Sequence, residues 1–255
     1  MELEHKVVIV TGGASGLGEA TVRKLFESGA KVGIFDLNEM RGTKIASELG
    51  DGAIFCKTDV TDEGSVARAI EIVMASFGAV HSAVNCAGIA TPGKIIGKNG
   101  LMLLSSFTKV LAVNLIGTFN IIRSAVGQMI HNSPNEDGER GVIINTASVA
   151  AFDGQIGQSA YSASKAGVVG MTLPLARELA QYGIRVVSIA PGLFYTPLLE
   201  GLPEKAKEAL GKMAPFPQRL GKPAEFAELV HHIVLNPMLN GETIRLDGAL
   251  RMAPK

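Results

Sequence analysis

A chain of 255 residues that is 47% hydrophobic and 19% charged is too apolar to be disordered. Its 24 lysines and arginines balance 24 aspartates and glutamates, which leaves no global field to hold nucleic acid or an anionic membrane. Two cysteines, Cys56 and Cys86, exclude a disulfide scaffold and a Cys-rich zinc site and point to a reducing compartment.

The opening MELEHKVVIV contains no arginine and leads into a strand almost at once, so it does not read as a mitochondrial leader. Lys6 to Thr11 is β-branched and apolar throughout, which predicts a strand buried on both faces. A glycine-rich turn follows, then a helix from about Gly16 to Ser28, closed by Ser28-Gly29. Lys31 to Asp36 is the second strand, Glu39 to Leu49 a helix stopped by Gly50, and Ala53 to Val60 holds the third strand. Asp62 to Phe77 reads as a helix ending before Gly78, and AVHSAVNCAG holds the fourth strand. Thr91 to Leu101, with Pro92, Gly93, Gly97 and Gly100, reads as a loop. A long helical pattern runs from there to about His131, NSPNEDGERG is a surface turn, and GVIINTAS is the fifth strand. Ala160 to Gln181 is helical; Pro174 inside it costs ~3 kcal/mol in an ordinary helix interior and predicts a kink. IRVVSIAPG is the sixth strand, and a helix near Pro223 to Leu235 and a short strand in ETIRLDG follow. No apolar run approaches the length of a membrane span. Strands alternating with helices make βαβ units, right-handed crossovers and a parallel sheet, so the expected fold is α/β and doubly wound, in one domain.

Three features in this frame carry chemistry. Gly12, Gly13, Gly16 and Gly18 in TGGASGLG sit between the first strand and first helix. Glycines there let backbone approach a pyrophosphate, and the helix start offers free N–H groups, with Ser15 and Leu17 contributing from the turn. Asp36 ends the second strand, where a carboxylate accepts both ribose hydroxyls and repels a 2′-phosphate. Its neighbours Ala14, Ser15, Leu37 and Asn38 are not basic, which predicts NAD rather than NADP. Asp59 and Val60 after the third strand are placed to meet an adenine, and Asn85, Cys86, Ala87 and Gly88 after the fourth lie on the same carboxyl edge.

Of three tyrosines only Tyr161 has a lysine, Lys165, four residues on, and the two share one helix face. An ammonium beside a phenol lowers its pKa, and a drop of about 3 units brings it into the range for acid–base work near neutral pH. Ser148 ends the fifth strand, where its hydroxyl can bond a carbonyl oxygen as it becomes an alkoxide. His5, His81, His131, His231 and His232 show no ligand pattern, so no metal is expected.

TGGASGLG, NCAG, Asn114 in VNLIGTF, Ser148, YSASK and IAPG together resemble the short-chain dehydrogenases/reductases, over nearly the whole chain. The resemblance implies a Rossmann domain over residues 1–255 with a seven-stranded sheet flanked by helices on both faces. The dinucleotide-binding part is expected at about 1–150 and the catalytic and substrate part at about 140–255. It implies Tyr161 as acid–base, Lys165 on the nicotinamide ribose, Ser148 orienting the substrate, and Asn114 fixing a water that feeds a proton relay. Longer runs, among them GVIINTASVAAFDGQIGQSAYSASK and NGETIRLDGALRM, are similar to a branch of the family that oxidises 3-hydroxyacyl-CoA with NAD and forms homotetramers. By that similarity Gly12, Ser15, Gly16, Leu17, Gly18, Asp36, Asp59, Val60, Asn85 through Gly88, Tyr161, Lys165, Pro191, Gly192, Phe194 and Thr196 hold NAD. Ser148, Gln155 and Tyr161 meet the substrate. That branch usually has glycine where this chain has Tyr195, a departure that bears on substrate range. Apolar residues between Phe194 and Pro217, with Met213 and Phe216, read as a cover over the acyl chain or a sterol. A hydroxysteroid dehydrogenase or 3-oxoacyl reductase is the alternative enzyme. A scaffold in an RNA-processing complex, as in animal relatives, is the alternative of another class. The compartment implied is bacterial cytoplasm, or mitochondrial matrix in a eukaryote.

Overall fold

The computed structural model describes residues 1–98, 100–197 and 203–254. Strand β1 (Val7–Thr11) leads into α1 (Gly16–Glu27), then β2 (Lys31–Asp36), α2 (Glu39–Leu49), β3 (Ala53–Lys57), α3 (Glu63–Phe77) and β4 (Ser82–Asn85). After a small antiparallel hairpin, β5 (Ile96–Gly97) and β6 (Gly100–Leu101), come α4 (Leu104–Leu111) and α5 (Thr118–Met129). The second half is β7 (Gly141–Thr146), α6 (Ser159–Leu179), β8 (Ile184–Pro191), α7 (Glu204–Gly211), α8 (Pro223–Leu235) and β9 (Thr243–Leu246). Seven strands form one parallel sheet in the order β3-β2-β1-β4-β7-β8-β9.

Alternation along each strand sends residues to both faces, and both faces are buried. On one face Val7, Ile9, Ala83, Ile143 and Val186 pack with Val66, Val73, Ile121 and Met129 from the helices. On the other, Val8, Val10, Ile34, Ile144 and Val187 pack with Val22, Leu25, Phe226, Val230 and Ile233. Each such side chain contributes roughly 1.5–3 kcal/mol on burial.

Several features differ from the sequence expectation. The stretch read as a plain loop holds the β5–β6 hairpin, whose Ile96 and Leu101 are exposed and therefore lack the half-buried alternation of a core strand. The stretch read as an apolar cover contains α7, where EKAKEAL supplies strong helix formers; residues 198–202 of that cover lie outside the described residues. The long helical pattern is interrupted by a π-helical stretch, Ala112–Gly117, with α-helix on either side. As a whole, Leu104–Met129 is long and apolar enough to cross a bilayer by length and composition, contrary to the count of apolar runs. Its apolar side is spent in the core instead, through Val110, Ile121, Ile122, Ala125 and Met129. Helix α6 is continuous through Pro174.

Because β1 has β2 on one side and β4 on the other, the order in which successive strands are laid down reverses at the β1–β4 crevice. In open parallel sheets such a crevice, outside the carboxyl ends of the strands, is where ligands sit.

Candidate active site

A cavity of about 820 Å³ opens over that edge. Its lining comes from the carboxyl ends of six strands: Gly12 after β1, Asp36 ending β2, Asp59 and Val60 after β3, Cys86, Ala87 and Gly88 after β4, Thr146 ending β7 with Ser148 after it, and Pro191 ending β8 with Gly192 after it. Ser15, Gly16, Leu17, Gly18, Tyr161, Lys165, Phe194 and Thr196 also line it.

The glycine turn is shaped by sterics. Gly12 and Gly16 have φ of 62° and 54°, the left-handed region that side chains disfavour. A Cβ on Gly18 would collide with the Gly12 carbonyl, so the helix start can press on the turn only without a side chain. Ser15 precedes α1 as its N-cap residue, yet its hydroxyl makes no capping bond. The first N–H groups of α1 therefore face the cavity with their partial positive charge unspent. Thr11, which the sequence reading passed over, holds the crevice together: its hydroxyl accepts the Cys86 and Ala87 amides, both at 3.1 Å.

Asp36 accepts the Ala14 amide at 3.0 Å on one carboxylate oxygen and the Asn38 amide at 2.9 Å on the other. These bonds fix the carboxylate while leaving lone pairs for hydroxyl donors. Of the basic residues around it, Lys57, opposite Asp36 on β3, bonds Glu39 at 3.1 Å, and Arg41 bonds Glu19 at 3.3 Å. Asp59 is oriented by the Thr61 hydroxyl at 2.7 Å, and Asn120 bonds the Val60 carbonyl at 3.0 Å. These residues fit a dinucleotide: an open helix start for the diphosphate and, for the adenosine ribose, a fixed carboxylate whose basic neighbours are paired with other carboxylates.

At the other end, Ser148 begins a short 3-10 turn, and its Oγ accepts the Ala150 amide at 3.1 Å. That bond uses acceptor capacity, so the hydroxyl hydrogen remains available. Lys165 is buried and donates to the Thr146 carbonyl at 2.6 Å, with Nζ 5.9 Å from the centre of the Tyr161 ring. Burial pulls the Lys165 ammonium down to about 8. Burial also pushes the Tyr161 phenol above its ordinary range, and the group that opposes this is the Ser148 hydroxyl. Here the site differs in detail from the sequence expectation: the ammonium donates to the Thr146 carbonyl and lies 5.9 Å from the ring centre, and the hydrogen-bonding group that favours the phenolate is the Ser148 hydroxyl.

Two expected residues sit behind the cavity wall. Asn114, in the π-helical stretch, is fully buried. Its amide accepts the Ile89 N–H at 2.8 Å and donates to the Ile89 carbonyl at 2.9 Å and to Ser164 Oγ at 3.1 Å. Ser164 in turn donates to the Tyr161 carbonyl at 2.7 Å, so Asn114 braces α6 rather than opening into the cavity. Asn85 is also buried and donates to Asn145 across the β4–β7 ladder at 2.9 Å. Gln155 does not line the cavity; its amide donates to the Ala253 carbonyl at 3.0 Å. The lining also includes Leu37, Thr61, Ile89, Lys109, Thr146 and Pro197, which sequence reasoning missed. Thr146 stood within reach, two residues before Ser148. Lys109 carried no signal, since a lysine on an amphipathic helix looks like any solvated one.

A model of the short chain dehydrogenase family matches residues 6–207. The 3-hydroxyacyl-CoA dehydrogenase type-2 of Drosophila melanogaster is 56% identical over 254 residues, 99% of this chain and 100% of that protein. The human protein of the same name is 56% identical over 250 residues, 97% of this chain and 96% of its own. Among solved structures, 3-hydroxyacyl-CoA dehydrogenase type-2 from Mycobacterium avium superposes with a TM-score of 0.94 at 42% identity, covering 100% of both chains.

Proposed function

The chain belongs to the short-chain dehydrogenase family and is an oxidoreductase using a nicotinamide cofactor, and from that premise we propose that it oxidises an (S)-3-hydroxyacyl-CoA to the 3-oxoacyl-CoA with NAD, in fatty-acid β-oxidation. The observation that carries this reading is the convergence of Ser148, Tyr161 and Lys165 on one cavity with an uncapped helix start and a fixed Asp36. The names of the two relatives at 56% identity supply the substrate class.

In this reading Gly12 and Ser15 through Gly18 hold the diphosphate, and Asp36 takes the adenosine ribose hydroxyls. Asp59 and Val60 border the adenine. Cys86 through Gly88, Pro191, Gly192, Phe194 and Thr196 enclose the rest of the cofactor. The cofactor part spans about 1–150 and the substrate part about 140–255 of one domain. When bound, the oxidised nicotinamide supplies the hydride acceptor. Tyr161 takes the proton from the substrate hydroxyl, which general-base catalysis favours by roughly 10²–10⁴-fold. Ser148 donates its free hydrogen to the oxygen that becomes the carbonyl. Lys165, within reach of the ribose side of the cavity, adds positive potential beside the phenolate. Asn114 acts at one remove, through Ser164 and the backbone of Tyr161.

The test is a purified-protein assay in the reverse direction with acetoacetyl-CoA, followed by loss of reduced-cofactor absorbance. Turnover with NADH and far less with NADPH is expected. Turnover only of steroid ketones or of acyl-carrier-protein thioesters would move the assignment to the hydroxysteroid or reductase alternative. No turnover of any ketone would favour a scaffold. We further propose a homotetramer, supported by exposed Ile116 in the π-helical stretch, Phe119 on α5 and Leu173 on α6; light scattering that returns a monomer overturns it. Free thiols at Cys56 and Cys86 fit a reducing compartment, cytoplasm in a bacterium or matrix in a eukaryote.

A further inference from the structure

The segment joining Ser148 to Tyr161 is mostly irregular. It passes from a short 3-10 turn, Val149–Ala151, to the start of α6, and so links two residues of the site. Its position is set by groups far away in sequence. Asp153 pairs with Arg245 on β9 at 2.6 Å. The Phe152 ring lies 5.2 Å from the Arg245 guanidinium. The Gln155 amide donates to the Ala253 carbonyl, and the Ile156 N–H donates to the Pro254 carbonyl, both at 3.0 Å. On the inner side, the Gly157 carbonyl accepts the Gly93 N–H at 2.8 Å.

Arg245 is itself braced. Its guanidinium also bonds Asp247 at 2.7 Å and the Leu250 carbonyl at 2.9 Å, and it is 22% exposed. A planar fork can meet two carboxylates and a carbonyl in fixed directions; a lysine there could not. Like Arg245, Ala253 and Pro254 lie late in the chain. Five groups late in the chain, counting Asp247 and Leu250, thus fix a loop that begins at Ser148.

We propose that Arg245 is a positioning residue for the substrate half of the site, acting with Asp153 and the tail segment 250–254 to hold the Ser148–Tyr161 loop in register. The consequence falls on Ser148. Its hydroxyl is aimed by the Ala150 amide, and Ala150 lies at the start of the tethered loop. A loop released from β9 carries Ala150 with it and turns the Ser148 hydrogen away from the substrate oxygen. The glycine turn and Asp36 share none of these ties, being held by β1, β2 and α1; Gly192 joins β9 by its backbone amide, donated to the Leu246 carbonyl at 2.9 Å, a bond that does not use the Arg245 or Asp153 side chain.

The inference rests on the dehydrogenase reading for its kinetic arm, and a second arm is independent of turnover. Amide hydrogen exchange is measured by mass spectrometry on the peptide spanning 149–158 in the parent, in Arg245→Lys, and in Asp153→Asn, which removes the loop's charge while keeping its shape. Faster exchange confined to that peptide is expected in both variants. With NADH and acetoacetyl-CoA, kcat is expected to fall about tenfold and the ketone KM to rise, as for a small misplacement of a reacting group. The Kd for NADH, read by fluorescence, is expected to hold within about twofold. Unchanged exchange in both variants overturns the proposal. So does a kinetic loss matched by an equal loss of NADH affinity, since that marks general destabilisation. A parent that reduces no ketone defeats the dehydrogenase reading instead, and the exchange arm still decides the tether.

Discussion

The two ends of the cavity are built by different means. At the cofactor end the groups that would meet the ligand are backbone amides at the start of α1 and a carboxylate pinned by two further amides. Their places follow from strand ends and glycine sterics. At the substrate end the groups are side chains, Ser148, Tyr161 and Lys165, held by Ala150, Ser164 and Thr146, with Ser164 braced in turn by Asn114. The first kind of site is made by backbone at strand ends and a helix start. The second kind hangs on a few side-chain contacts, and its chemistry is correspondingly easier to disturb by single substitutions.

The largest expected effect lies at the substrate end. Tyr161→Phe should lower kcat by on the order of 10³-fold while leaving the Kd for NADH unchanged, measured by steady-state kinetics and fluorescence titration. Equal losses in both quantities would erase the distinction between the two ends.

Lys165 gives a second handle through pH. Its folded pKa is about 8 against an ordinary 10.5, so between those values the unfolded chain holds a proton that the folded chain does not. Stability therefore rises with pH across that window and is lost as pH falls through 8. In the cofactor-free protein Lys165 should contribute a rise on the order of 2 kcal/mol from pH 8 to 10, against an opposing fall above pH 9 from the Cys56 and Cys86 thiols, which burial pushes up to about 11. Lys165→Met should flatten it in chemical denaturation. A rise that persists in the variant would place its source in another group.

At the cofactor end, Asp36→Ala should weaken NADH binding about tenfold, the worth of a charge-assisted hydrogen bond, and lessen the discrimination against NADPH. The measurement is a pair of titrations, and an unaltered NADH preference would remove Asp36 from the site.

The smallest effect serves as a control at the amino edge of the sheet, away from both ends. His81 Nδ1 accepts the Val7 amide at 3.1 Å, and burial with the nearby Lys6 charge holds the ring down to about 4. The unfolded ring takes up a proton between pH 6.5 and 4 and the folded ring does not, so stability falls as pH drops through that range. The ring is half-exposed, and solvent screening brings the expected loss to roughly 1 kcal/mol. His81→Asn, which keeps an acceptor for Val7, should reduce it in acid denaturation without touching either ligand.

This contrast also explains what could be read from residues alone. The strands β1, β2, β7 and β8 were legible as apolar runs rich in Val and Ile, as buried parallel strands are, and β3, β4 and β9 as shorter apolar runs alternating with helical patterns. The glycine turn and Asp36 were legible because their roles follow from spacing next to strand ends. Tyr161 and Lys165 were legible as a pair by the i,i+4 rule, but their electrostatics were not. Which cation offsets the burial of a phenol depends on where a distant carbonyl, here that of Thr146, draws the ammonium. The π-helical stretch escaped because one extra residue in a turn leaves no mark on hydrophobic periodicity. Ser164 looked like any serine in YSASK until Asn114 was seen against it. Gln155 faces Ala253 because the tail lies beside it, which no local pattern reports.

The order of the strands has a consequence for how the molecule comes to exist. The order allows strands to add one by one during synthesis: β2 beside β1, β3 beside β2, β4 on the opposite margin of β1, then β7, β8 and β9 outward. Every arriving strand meets a margin that is already free, and none has to be wedged between two partners that have paired. Assembly by accretion of this kind keeps each newly made segment close to its final neighbour, and the nucleotide cleft is outlined well before the last residues needed for turnover have been translated.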